Sequence, residues 1–153
     1  MGATSPPPRQ QSGLALIEVL MAFVILSVAL IGFSGLQLRA AKAAQSSLQR
    51  TDAVILAGSM LETMRANRWV VGAMGPGYWQ YNNNLCTVPA AGATLSSNDL
   101  HDWFDSLKKT LGSSACGSII CTGAFYCTVE ITWDDSRALG GAAAQKFQMG
   151  GAL

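Results

Sequence analysis

The chain has 153 residues, half of them hydrophobic, 12% charged and a net charge of +1. That length holds one membrane segment and a single small core of roughly a hundred residues. The near-neutral balance, without any Lys/Arg run interleaved with aromatics, lacks the electrostatic footprint of a nucleic-acid binder, and no nucleic-acid partner is expected.

Residues Met1–Ser12, MGATSPPPRQQS, include three consecutive prolines and one arginine. Proline removes a backbone donor and blocks helix propagation, so this stretch reads as a disposable leader. After Glu18, Val19 to Leu38 contains no charged residue. At about 1.5 Å per residue those positions cover roughly 30 Å, the hydrocarbon thickness of a bilayer. A secretory signal core is shorter, about 7 to 15 residues, and ends at a small-x-small cleavage site. A plain uncleaved anchor is the other reading of the run. Glu18 sits among Leu16, Ile17, Val19 and Leu20, where an ionised carboxylate needs a cation to meet it. A cut after Gly13 would make Leu14 the new terminus and set a free amine one helical turn from Glu18.

Gly13, Glu18 five positions later and the uninterrupted apolar run together resemble the type IV pilin family. The resemblance implies cleavage by a prepilin peptidase between Gly13 and Leu14, N-methylation of Leu14, and pairing of Glu18 with the amine of a neighbouring subunit. Leu14 stands where the family usually has Phe, and Ala15 where Thr or Ser is common. Both keep the apolar or small character of the site. The implied partners are other minor and major pilins, the peptidase and the inner membrane.

Gly32 and Gly35 lie three apart inside the run, and each costs roughly 1 kcal/mol relative to alanine in a helix. They read either as a small-residue packing face or as a point where the helix loosens on assembly. The resemblance bears on the second, because Gly35 falls where major pilins often carry proline. Arg39, Lys42 and Arg50 follow the run, whereas only Arg9 and the amino terminus precede it. The positive-inside tendency would place the C-terminal part in the cytoplasm. The cysteine distribution and the resemblance place it in the periplasm, and they take precedence here.

Beyond Leu38 the helical period continues. Ala53, Leu56, Ala57, Met60, Leu61 and Met64 form one apolar stripe, while Gln45, Gln49, Arg50, Glu62 and Arg65 mostly face elsewhere. The helix is expected to end near residues 68–71, before Gly72, Gly75, Pro76 and Gly77. Its last residues, Met64-Arg65-Ala66-Asn67-Arg68, are similar to those of the pilus-modification minor pilins, the PilV type. Taken alone, Arg65 and Arg68 are cations offsetting the dipole at a helix C-terminus.

The next stretch, to Ser97, is rich in Gly, Asn, Pro and Ala and reads as loop, with Trp69, Tyr78, Trp79 and Tyr81 either folding back onto the helix, the preferred reading, or facing outward as a contact surface. A short helix follows over about 99–111, with Leu100, Phe104, Leu107 and Leu111 on one stripe. Ser97 or Asn98 is its expected cap, Asp99 and Asp102 its first-turn acids, and Gly112 its stop. His101 reads as an ordinary packed or surface histidine. Ile119–Cys121 and Phe125–Trp133 are rich in β-branched and aromatic residues and flank Thr122, Gly123 and Ala124, which predicts a hairpin. Alternation puts Cys127, Val129, Ile131 and Trp133 on one face, against the long helix, and Tyr126, Thr128, Glu130 and Thr132 on the other. Gln145–Met149 is a further strand.

The four cysteines, Cys86, Cys116, Cys121 and Cys127, all follow the apolar run, and an even number on the exported side favours disulfides. Three pairings are open, of which Cys121 with Cys127 and Cys86 with Cys116 is preferred. No C-x-x-C occurs and His101 is the single histidine, so no metal and no cofactor are expected. Asp102 with Asp105 and Asp134 with Asp135 lack the oxygen-ligand spacing of a calcium loop. No nucleophile elbow or phosphate-binding glycine loop occurs, so no enzymatic activity is expected.

The fold expected is α+β and pilin-like: leader 1–13, membrane and assembly helix 14–38, and periplasmic domain 39–153 against an antiparallel sheet. The function expected is that of a minor pilin anchored once in the inner membrane and later carried into a pilus. The alternatives are a pseudopilin of type II secretion and a periplasmic binding module on a plain anchor.

Overall fold

The computed structural model describes residues 12–68, 77–78, 83–122 and 125–153. Helix α1 runs from Ser12 to Ala66, and the proline-free sequence from Ser12 to Gly75 explains its length. The chain divides between Ala40 and Ala41 into two compact units, the second reaching to Leu153.

The first unit is helix alone. From Leu16 to Leu38 its large apolar side chains are all more than half exposed. Each would gain about 1.5 to 3 kcal/mol by leaving water, and nothing among the described residues covers them. Such a surface calls for lipid or for other helices.

The second unit holds the core. Ala53, Ala57, Met60, Leu61 and Met64 of α1 are buried and Leu56 packs beside them, so the predicted stripe is the buried one. The element stops at Ala66, slightly before the expected end, although the Asn67 N–H still reaches Thr63 O at 3.1 Å. Helix α2 spans Leu95–Leu111, starting four residues before the expected boundary. The reason is a capping box: Thr94 Oγ1 accepts from the Ser97 N–H at 3.2 Å, and Ser97 Oγ accepts from the Thr94 N–H at 3.3 Å. Ser97 and Asn98 are therefore inside the helix, and Asp99 and Asp102 lie beyond its first turn. Leu100, Trp103, Phe104, Leu107 and Leu111 are buried. Gly112 ends α2 with φ +100°, a conformation that glycine adopts without strain.

Strands β1 (Cys116–Thr122), β2 (Tyr126–Trp133) and β3 (Gln145–Ala152) form an antiparallel sheet in the order β1-β2-β3. Strands β1 and β3 are longer than expected, while β2 begins one residue later. The β1–β2 register sets Cys121 opposite Cys127 and Thr122 opposite Tyr126. Burial in β2 alternates with the predicted phase: Cys127, Val129, Ile131 and Trp133 are buried, and the residues between them are not. Met149 of β3 approaches Gly58 of α1, consistent with α1 lying on this inner face. Leu85 adds one antiparallel bridge on the outer edge of β1, at Gly117. Tyr78 is fully buried in the core, whereas Trp69, Trp79, Tyr81, Gly123 and Ala124 lie outside the described residues.

Gly117 marks the tightest approach between α2 and the sheet. A Cβ there would stand 2.7 Å from Trp103 Cη2 and 3.1 Å from Leu107 Cδ1. Overpacking a close-packed site costs about 1 to 3 kcal/mol. Gly117→Ala is therefore expected to lower the unfolding free energy of the domain by that amount, seen as a lower urea midpoint at unchanged slope, with an unchanged midpoint as the contrary result.

Candidate functional site

From Val19 to Leu38 α1 is built from uncharged residues, and its two serine hydroxyls are satisfied within the helix. Ser27 Oγ donates to Val24 O and Ser34 Oγ to Leu30 O, each at 2.8 Å. In hydrocarbon such self-satisfaction is required. Gly32 and Gly35 meet nothing within 4 Å of a built Cβ. No contact among the described residues thus explains glycine at either place, although each weakens the helix. Gly13 and Leu14 fall in the first turn of α1. Glu18 is exposed and forms no ion pair among the described residues. The next cation along α1 is Arg39, roughly 30 Å away at helical rise. A cation for Glu18 must therefore come from the N-terminal side or from another chain.

In the second unit the polar groups hold elements together. Asp135 is 3% exposed. Ser46 Oγ donates to its Oδ2 at 2.6 Å, and Arg50 Nη2 stands 3.8 Å from the same oxygen. This joins α1 to the β2–β3 connection. The sequence carried a signal for it: two residues past the inward-facing Trp133, the same alternation puts Asp135 on the buried face.

A second cluster closes the end of α1. Asn67 Nδ2 donates to Tyr78 Oη at 2.9 Å and to Asp99 Oδ2 at 3.1 Å, and the Tyr78 hydroxyl donates to Asp99 Oδ2. Burial, then the Asp99 hydrogen bond, pushes the Tyr78 phenol well above its usual range. Asp99, expected as a first-turn acid, instead binds α1 to α2. Arg65 also does more than offset a dipole. Its Nε donates to Ala152 O of β3 at 2.8 Å and its Nη1 pairs with Glu62. Only side-chain packing reveals these roles, since nothing in the spacing links residues so far apart.

On the outer sheet face Lys146 Nζ lies 2.7 Å from Glu130 Oε1, and that bond holds the Glu130 carboxyl below its usual range. Asp105 pairs with Lys109 at 2.6 Å, Asp134 accepts from the Ser136 N–H at 2.8 Å, and His101 Nδ1 lies 2.8 Å from Pro89 O. No three His, Cys, Asp or Glu side chains group as metal ligands among the described residues. The cysteines are joined Cys86–Cys116 and Cys121–Cys127. The first ties the segment carrying Leu85 to β1, and the second crosses the hairpin next to its turn.

Among protein-family models, the prokaryotic N-terminal methylation motif matches residues 8–34. The match takes in Gly13, Leu14, Glu18 and Gly32 and stops one residue before Gly35. No curated protein and no solved structure matches the chain.

Proposed function

We propose that the chain is a type IV pilin-family protein, a reading that its N-terminal methylation motif supports, and that it is a minor pilin of the pilus-modification, PilV-like kind. It is stored in the inner membrane with residues 39–153 in the periplasm, cut after Gly13, methylated at Leu14 and assembled with sibling pilins. The observation that carries the reading is Glu18: a carboxylate at the start of an uncovered apolar helix, with no cation within reach along that helix. A neighbouring chain's terminal amine supplies that cation in the assembled state. Gly32 and Gly35 suit the same state, as a small face for close helix approach or a point where the helix loosens.

The methylation motif is shared by pseudopilins of type II secretion, so it does not choose between the two systems. The helix ending Met64-Arg65-Ala66-Asn67-Arg68 favours the pilus. A binding module on a plain anchor differs from both in keeping its leader. The test is the intact mass of the chain extracted from membranes of cells with an active prepilin peptidase. The expected mass is that of a chain beginning at methylated Leu14, and a full-length mass defeats the proposal.

A further inference from the structure

A cavity of about 450 Å³ in the second unit gathers charge from three separate elements. Lys42 of α1, Lys109 near the end of α2 and Arg137 of the β2–β3 connection line it, together with Asp134 and Asp135. Asp135 is already engaged by Ser46 and Arg50. Asp134 is held by Ser136, whose hydroxyl first and N–H second keep its carboxyl below the usual range. Lys109 shares its charge with Asp105 and is 74% exposed. Lys42 and Arg137 are exposed and form no ion pair among the described residues.

Three cations converge on this concavity, and although Lys109 is paired with Asp105 and the charge of Arg137 acts on Asp134, positive charge remains in excess there. The charge balance limits which anion fits. Three cations against two carboxylates leave one positive charge, enough for a single phosphodiester and too little for a polyphosphate or a nucleic-acid backbone. Position narrows the choice further. Lys42 stands four residues past Leu38, the last residue of the apolar run. Four residues span at most about 14 Å even when extended, which keeps Lys42 within reach of the headgroups beside a membrane segment.

We propose that this cavity binds the phosphodiester headgroup of a phospholipid, with Lys42 and Arg137 on the phosphate and Lys109 at the rim, and so holds the unassembled subunit to the bilayer surface. The proposal rests on residues 14–38 being the membrane anchor. It also gives local uses to cations that run against the positive-inside tendency: Arg50 faces the buried Asp135, and Lys42 meets the headgroup.

The test uses the full chain in micelles doped with phosphatidylglycerol, with bound lipid counted by native mass spectrometry. Wild-type protein is expected to retain one phosphatidylglycerol, and Lys42→Gln combined with Arg137→Gln to bind it at least tenfold more weakly. Lys146→Gln, at an exposed position on the sheet's outer face, is expected to bind as wild type does. All three side chains are exposed, so folding is preserved. Equal retention by the double variant overturns the proposal, and so does an equal loss in Lys146→Gln. Glycerophosphoglycerol, the same headgroup without acyl chains, is expected not to displace the lipid at equal concentration; displacement would assign the site to a soluble phosphodiester instead. Alkaline extraction of native membranes reads the anchor independently: release of the chain sinks the anchor reading, whereas loss of headgroup selectivity in a retained chain sinks only this proposal.

Discussion

Glu18→Ala is expected to leave the chain inserted, cut after Gly13 and fully disulfide-bonded, yet absent from complexes with sibling pilins. The separation of effects follows from where the residue sits. Glu18 belongs to the first unit, and the core of the second unit begins at Ala53, so the folded domain does not depend on it. In the free subunit the carboxylate stays near the headgroups, because a lone charge in hydrocarbon costs several kcal/mol. In a helical bundle the proposed pairing with a neighbour's amine offsets that cost and rewards one axial register between subunits. Removing one member of such a pair leaves the other uncompensated, at about 3 to 5 kcal/mol. That is a loss of at least a hundredfold in association. Co-purification of wild-type and Glu18→Ala chains with the other minor pilins measures it, and equal recovery would show Glu18 to be an ordinary interfacial glutamate.

Loss of the Cys86–Cys116 bond is expected to destabilise the second unit more than loss of Cys121–Cys127. The two bonds close loops with sequence separations of 30 and 6 residues. In the chain-entropy account their contributions are about 3.7 and about 2.4 kcal/mol. The wider bond has a second effect, because it holds the segment whose Leu85 exchanges two hydrogen bonds with Gly117, at 2.8 and 3.0 Å. Without it that bridge and the cover over the start of β1 loosen together. The narrower bond joins Cys121 and Cys127, residues that the strand register already sets opposite one another. Urea unfolding of the two double Cys→Ala variants, followed by tryptophan fluorescence, tests the order. A larger shift for the Cys121/Cys127 variant would contradict it.

Much of the architecture is legible in local pattern. The apolar run, the α1 stripe through Met64, the α2 stripe from Leu100 to Leu111 and the alternation in β2 each depend on residues a few positions apart, and helix and strand periods are local properties. Gly13, Glu18 and the run behind them are equally local, which is why the N-terminal site could be read without coordinates. Element ends were harder. The start of α2 turned on Thr94 and Ser97 capping each other in a stretch where several hydroxyl and amide side chains compete as caps, and β1 extends to Cys116 because Thr132 of β2 is there to pair with it.

By itself, then, the sequence determined a membrane-length helix with one carboxylate near its start and the phase of the apolar stripes in α1, α2 and β2, because chain period, helix rise and hydrophobicity need no distant partner. The tertiary structure alone decided that Asp135 is buried against Ser46 and Arg50, that Asp99 joins Tyr78 and Asn67, that Arg65 reaches Ala152, and that Lys42, Lys109 and Arg137 share a cavity. Those are contacts between side chains distant in sequence. Burial decides whether a charge is solvated or paired, and burial exists only once the elements have packed.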